Sequence, residues 1–171
     1  NPIFIEVGLK MGADTLISYA KKFGFGYKTN LNFTGESGGN LPEPDSIYPG
    51  ELANLAIGQG ELEATPLQIA SLVGTIANDG IKVDPYLVSK LTKSDGVVVK
   101  NYAVPSSGTR VLSKKTARQL QEMMSAVTDF GTGQTGYVAG FGSAGKTGSA
   151  ETGRRNITDQ GISHAWFAGY G

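Results

Sequence analysis

An α+β fold is what this 171-residue sequence predicts. Two segments, 66–79 and 114–128, repeat apolar residues at helical spacing behind their own start signals. Two others read as strand pairs. YLVSKLT and VVVK flank Ser94-Asp95-Gly96, and KTGSAE at 146–151 can pair with SHAWFAGYG at 163–171. No internal repeat and no domain linker divides the chain.

Taken in order, the apolar residues 3–10 continue a helix begun upstream. Leu16, Ile17 and Ala20 place a second helix over 14–22, which the glycines of GFG at 24–26 end. Residues 27–50, rich in glycine, proline and polar side chains, read as a long surface loop. For the helix at 66–79, Thr65 is the N-cap, Pro66 the first helical residue and Gln68 the partner in a capping box. Gly80 stands where a terminating glycine belongs. Ser113 caps the helix at 114–128, which lines Leu120, Met123, Met124 and Val127 along one side. The stretch from Phe130 to Gly153 has too many glycines for a helix and suits backbone that approaches another molecule closely. KTGSAE and SHAWFAGYG then form an antiparallel hairpin across a polar connection.

Hydrophobic residues make up 39% of the chain and charged residues 18%, an ordinary globular composition. Fifteen basic and fifteen acidic residues cancel, which argues against a nucleic-acid partner. The absence of cysteine removes disulfides, thiolate metal sites and cysteine nucleophiles, and His164 alone cannot build a metal site. No metal or cofactor is expected. No apolar run reaches the roughly 18 residues needed to span a bilayer. Asn1-Pro2 leads straight into apolar IFIEVGL, and AWFAGYG ends as a strand interrupted. Both termini therefore lead to the expectation of a fragment.

Two catalytic patterns share one lysine. Gly140-x-x-x-x-Gly145-Lys146-Thr147 matches the P-loop formula, and Lys146-Thr147-Gly148 matches a motif of serine acyl-transferases. A P-loop needs a helix directly after the lysine, whose N-terminus cradles phosphates. GSAETGRRNITDQG offers none, so a nucleotide site is the weaker alternative. The other pattern needs a strand, with Gly148 letting a ligand lie against its edge.

Longer segments make the second pattern specific. IGQGELEATPLQIASLVGTIANDGIKVDPYLV at 57–88, RVLSKKTARQLQEMMSAVTDFGTG at 110–133, and GKTGSAE followed by HAWFAGYG resemble class B penicillin-binding proteins, in family order and spacing. The resemblance runs essentially end to end and is to the C-terminal part of the transpeptidase domain. It implies part of the penicillin-binding transpeptidase and serine β-lactamase fold, an antiparallel sheet flanked by helices. The family uses three motifs, Ser-x-x-Lys, Ser-x-Asn and Lys-Thr-Gly. Only the third is complete here. Asn1 resembles the asparagine of the second, so a serine is expected two positions before it, with the nucleophilic serine of the first motif further upstream. Ser18-Tyr19-Ala20-Lys21 also spells Ser-x-x-Lys, but in the wrong order, on a helix face expected to meet solvent.

The resemblance implies acyl transfer on cell-wall stem peptides ending in D-Ala-D-Ala. The missing serine forms the acyl-enzyme, a second strand's amine takes the acyl group, and β-lactams acylate the same serine. Lys146 supplies positive charge that attracts the substrate carboxylate and disfavours protonation of the motif lysine. The Thr147 hydroxyl bonds that carboxylate, the Ser149 backbone N–H is an oxyanion donor, Asn1 orients the substrate amide, and Gln59 lines the cleft. Ser149 stands where threonine is more common. Trp166 and Phe167 are expected to pack, and His164 to be structural rather than a base. The resemblance further implies a domain on the extracytoplasmic face of a bacterial membrane, anchored by an N-terminal segment and working with other cell-wall synthesis proteins. A β-lactam sensor that never turns over would share the same site. The 171 residues alone are expected to be inactive, for want of the nucleophile.

Overall fold

The computed structural model describes residues 1–29, 31, 34–102, 108–157 and 160–171. Among the described residues, five α-helices and six strands follow in the order α1 Pro2–Met11, α2 Ala13–Phe23, α3 Pro49–Leu55, α4 Pro66–Ala77, β1 Ile81–Lys82, β2 Lys90–Thr92, β3 Val98–Asn101, β4 Thr109–Arg110, α5 Lys114–Asp129, β5 Ala144–Arg155 and β6 Gly161–Tyr170. Among the described residues the strands pair antiparallel, in three two-stranded units, β1–β4, β2–β3 and β5–β6. The fold is α+β, with α4 and α5 packed on the β5–β6 hairpin. Their interface buries Val73 and Ile76 from α4, Met124 from α5 and Ala144 from β5, with Leu72, Leu112, Leu120, Ala168 and Tyr170 around them.

Both long helices start where their signals lie. Thr65 accepts a hydrogen bond from the Gln68 amide N–H, the Gln68 carboxamide oxygen accepts from the Thr65 N–H, and Ser113 accepts from the Thr116 N–H. The ends and faces depart in detail. Asn78 is the C-cap of α4, and the left-handed turn beyond it takes two residues, Asp79 at φ 52° and Gly80 at φ 85°. Met123 is exposed rather than in the core, because α5 turns only Ala117, Met124 and Thr128 fully inward. Helix α1 covers Pro2–Met11, the expected apolar segment. Gly24 ends α2 at φ 100°. Ser18 is exposed on α2 as expected, but Lys21 is not free: its Nζ lies 3.0 Å from a Glu43 carboxylate oxygen.

The expected surface loop holds more order than its composition promises. It includes a 3-10 turn at Pro44–Ser46, and α3 begins at Pro49, with Glu51 accepting from the Tyr48 N–H at 2.9 Å. Three residues of this loop, at 30, 32 and 33, lie outside the described ones. One side chain pins the loop. Gln68, 1% exposed, faces the carbonyls of Gly38 at 2.7 Å, Tyr27 at 2.9 Å and Gly24 at 3.3 Å. Its amide has two hydrogens, so the two shorter bonds are full and the third is shared.

Asp79 locks the corner where α4 meets α5. Lys114 Nζ lies 2.9 Å from one carboxylate oxygen and Arg118 Nε 3.6 Å from the other, while Arg110 donates to the Asp79 and Leu112 carbonyls. The Lys114 hydrogen bond, with the charges of Lys114 and Arg118, holds the Asp79 carboxyl below its ordinary value of 3.8, against desolvation. A depressed pKa contributes stability above the unfolded value, and this is lost as pH falls through the folded one. Stability followed by circular dichroism should therefore fall as pH drops below about 4, and Asp79→Asn should flatten the profile in that window. An unchanged acid limb in the variant would remove Asp79 from this role.

Candidate functional site

β5 and β6 form one long hairpin in which Lys146 faces Ala168, Thr147 faces Phe167, Gly148 faces Trp166 and Ser149 faces Ala165. The strands run further than KTGSAE and SHAWFAGYG, to Arg155 and from Gly161. The expected connection shrinks to 156–160, of which 158 and 159 lie outside the described residues. A strand, not a helix, carries Lys146. That removes the P-loop expectation, since no helix N-terminus follows the lysine to receive a phosphate.

The outer edge of β5 is the chemically interesting surface. Successive residues of a strand point their N–H and C=O to opposite sides. The Ser149 carbonyl accepts from Gln59 Nε2 at 3.3 Å, and the Glu151 N–H donates to Gln59 Oε1 at 3.4 Å. The Thr147 carbonyl accepts from Lys146 Nζ at 2.6 Å. Residues 147, 149 and 151 therefore face away from β6, and the Ser149 N–H points outward with its carbonyl. Lys146 and Ser149 are exposed and Thr147 is half-buried. A Cβ built on Gly148 meets only Trp166, at an ordinary 3.5 Å, so the fold itself does not require glycine there.

Gln59 reaches this edge from the turn after α3. Gly58 at φ 72° and Gly60 at φ 84° make the turn, and the Gln59 N–H donates to the Asn54 carbonyl at 2.9 Å. The base of the turn is fixed by α1, since a Cβ on Gly8 would sit 2.3 Å from the Ala56 Cβ. Asn1 is exposed at the start of α1, and its carbonyl accepts from the Ile5 N–H. Among the described hydrogen bonds none joins Asn1 to β5.

Thr132 was not foreseen. Its hydroxyl lies 2.8 Å from the Thr147 hydroxyl. The Phe167 ring holds the loop that carries it: a Cβ on Gly133, Gly136, Gly145 or Gly169 would come within 2.5–3.1 Å of that ring. Phe167 is 47% exposed, so it packs flat on a glycine floor rather than in the core, while Trp166 is half-buried. His164 is exposed opposite Ala150. Thr128 ties the helix to the strand by donating to the Ser143 carbonyl.

These features make β5 an open strand edge, cationic at one end, with outward backbone groups and paired hydroxyls. A model of the penicillin-binding protein transpeptidase domain matches residues 1–171. The chain is 38% identical over 83% of its length to penicillin-binding protein PbpB of Mycolicibacterium smegmatis, and 35% identical over 88% to stage V sporulation protein D of Bacillus subtilis. It spans 22% and 23% of those two relatives. It superposes on the D,D-transpeptidase domain of a peptidoglycan glycosyltransferase from Eggerthella lenta with a TM-score of 0.86 at 30% identity, covering 99% of this chain and 42% of that one. Penicillin-binding protein 3 of Mycobacterium tuberculosis, solved with aztreonam, gives 0.83 at 32% identity, covering 97% of this chain and 38% of that one. The chain belongs to the penicillin-binding protein transpeptidase domain family.

Proposed function

We propose that this chain is the C-terminal part of the transpeptidase domain of a serine D,D-transpeptidase that crosslinks peptidoglycan stem peptides. The observation that carries it is the outward-facing edge of β5, where Lys146, the Thr147 hydroxyl and the Ser149 N–H are presented together. Upstream residues supply the Ser-x-x-Lys motif and the serine two positions before Asn1. The serine Oγ attacks the penultimate D-Ala carbonyl and D-Ala leaves with a proton, forming an ester. An acceptor amine then attacks that ester, forming the new amide and freeing the serine. Lys146 and Thr147 hold the terminal carboxylate, the Ser149 N–H stabilises the oxyanion, and Asn1 orients the substrate amide. Thr132 turns the Thr147 hydroxyl toward its acceptor. The full-length protein is anchored in the bacterial membrane, acts on its outer face with other cell-wall synthesis proteins, and is acylated by β-lactams.

Fluorescent penicillin followed by denaturing electrophoresis tests this. The full-length protein should take covalent label and the 171-residue chain should stay dark. Thr147→Val should slow labelling by roughly 10- to 100-fold, the value of about 1.5–3 kcal/mol for a hydrogen bond to a charged group. Label on the short chain that disappears with Ser18→Ala would place the nucleophile on α2 instead.

A further inference from the structure

The open edge of β5 is already partly occupied by this chain's own side chain. Gln59 donates to the Ser149 carbonyl and accepts from the Glu151 N–H. Those are two of the backbone groups that an extended peptide lying beside β5 would use. At 3.3 and 3.4 Å both contacts are long, near the outer limit for an N–H···O bond. The backbone around Gln59 is anchored by the Asn54 carbonyl, so the carboxamide can leave without moving the turn.

We propose that Gln59 is a specificity-determining clip that competes with the ligand's own amide for the Ser149 carbonyl and sets how far a peptide backbone can pair along β5. The inference rests on the reading of β5 as the substrate edge. A ligand pairing antiparallel at Ser149 takes both the N–H and the C=O of that one residue, so Gln59 Nε2 must release the carbonyl. The Glu151 N–H is not needed for that pair, and Gln59 Oε1 keeps it. The clip thus closes the edge at Glu151 and leaves Thr147 to Ser149 for the ligand. Ligands without an amide N–H at that position never displace it and gain nothing from its removal.

The test uses the full-length protein and two β-lactams, benzylpenicillin, which carries an acylamino N–H, and a carbapenem, which does not. The readout is the ratio of their second-order acylation rates. Gln59→Ala should raise the ratio, penicillin over carbapenem, by about 3- to 10-fold, the equivalent of one weak neutral hydrogen bond no longer in competition. Gln59→Glu is the second variant. It keeps the acceptor for Glu151 and loses the donor to Ser149, so it should raise the ratio in the same direction. Both ligands carry a carboxylate, so the new charge cancels in the ratio. A ratio that is unchanged, or that falls, in variants melting like the native protein overturns the clip. Failure of either β-lactam to label the native protein removes the substrate-edge reading itself, and the clip with it.

Discussion

Ser149→Pro in the full-length protein should cut penicillin acylation by about 10²- to 10³-fold, the usual effect of deleting one oxyanion donor, while leaving the β5–β6 hairpin intact. The reason is directional. The Ser149 N–H lies on the side of β5 that faces away from β6, the side on which its carbonyl meets Gln59. Proline there removes no ladder bond, and proline is tolerated where a strand N–H faces outward. Ala150→Pro is the matched control. Its N–H faces β6 opposite His164, so proline there should lower the melting temperature. Ser149→Ala should acylate close to the native rate, since the side chain supplies nothing. Labelling of Ser149→Pro at the native rate would sink the assignment of this N–H.

Gly80→Ala should destabilise the domain by roughly 2–5 kcal/mol, a left-handed penalty of about 1–2 plus an overpacking cost of about 1–3. Gly80 adopts φ 85°, and a Cβ there would sit 2.5 Å from the Leu112 carbonyl oxygen, which is backbone and cannot swing away. The same glycine accepts from the Val111 and Leu112 N–H groups and donates to the Thr75 carbonyl, so no shift relieves the overlap without breaking the corner between α4 and α5. Gly96→Ala isolates the backbone part. Gly96 has φ 84° but open space around it, so only the left-handed penalty applies. Thermal unfolding of both variants should show the larger drop for Gly80→Ala. Equal drops would mean that the contact with Leu112 costs nothing.

Helices α4 and α5 are legible in the sequence because their start signals are local: Thr65, Pro66 and Gln68, and Ser113, act within one turn. The hairpins are legible for the same reason, through alternation and turn residues. What the sequence hides is contact at a distance. Gln68 reads as half of a capping box, yet it also fastens a loop up to 41 residues away. Helix α3 is seven residues long, too short to show a period among glycines and prolines. Strands β1 and β4 pair over only two residues each. At the site, Lys146, Thr147, Gly148 and Ser149 are found by their tripeptide and its neighbours. Thr132 meets Thr147 across 15 residues, and Gln59 meets Ser149 across 90, so neither meeting has a sequence period.

The alternation of β5 has a last consequence. Three residues, 147, 149 and 151, turn their backbone groups outward, and their neighbours turn theirs to β6. The edge is thus an odd–even code, read through main chain rather than through side-chain identity. A single-residue deletion between Ser143 and Lys146 would leave the motif's letters in place and invert every assignment, hiding the donors inside the hairpin. A two-residue deletion would restore the parity. Length changes in the loop at 137–143, before the strand begins, leave that parity untouched. Substitution at Ser149 is free in chemistry but not in backbone, which is why serine can stand there in place of threonine and proline cannot without silencing the edge.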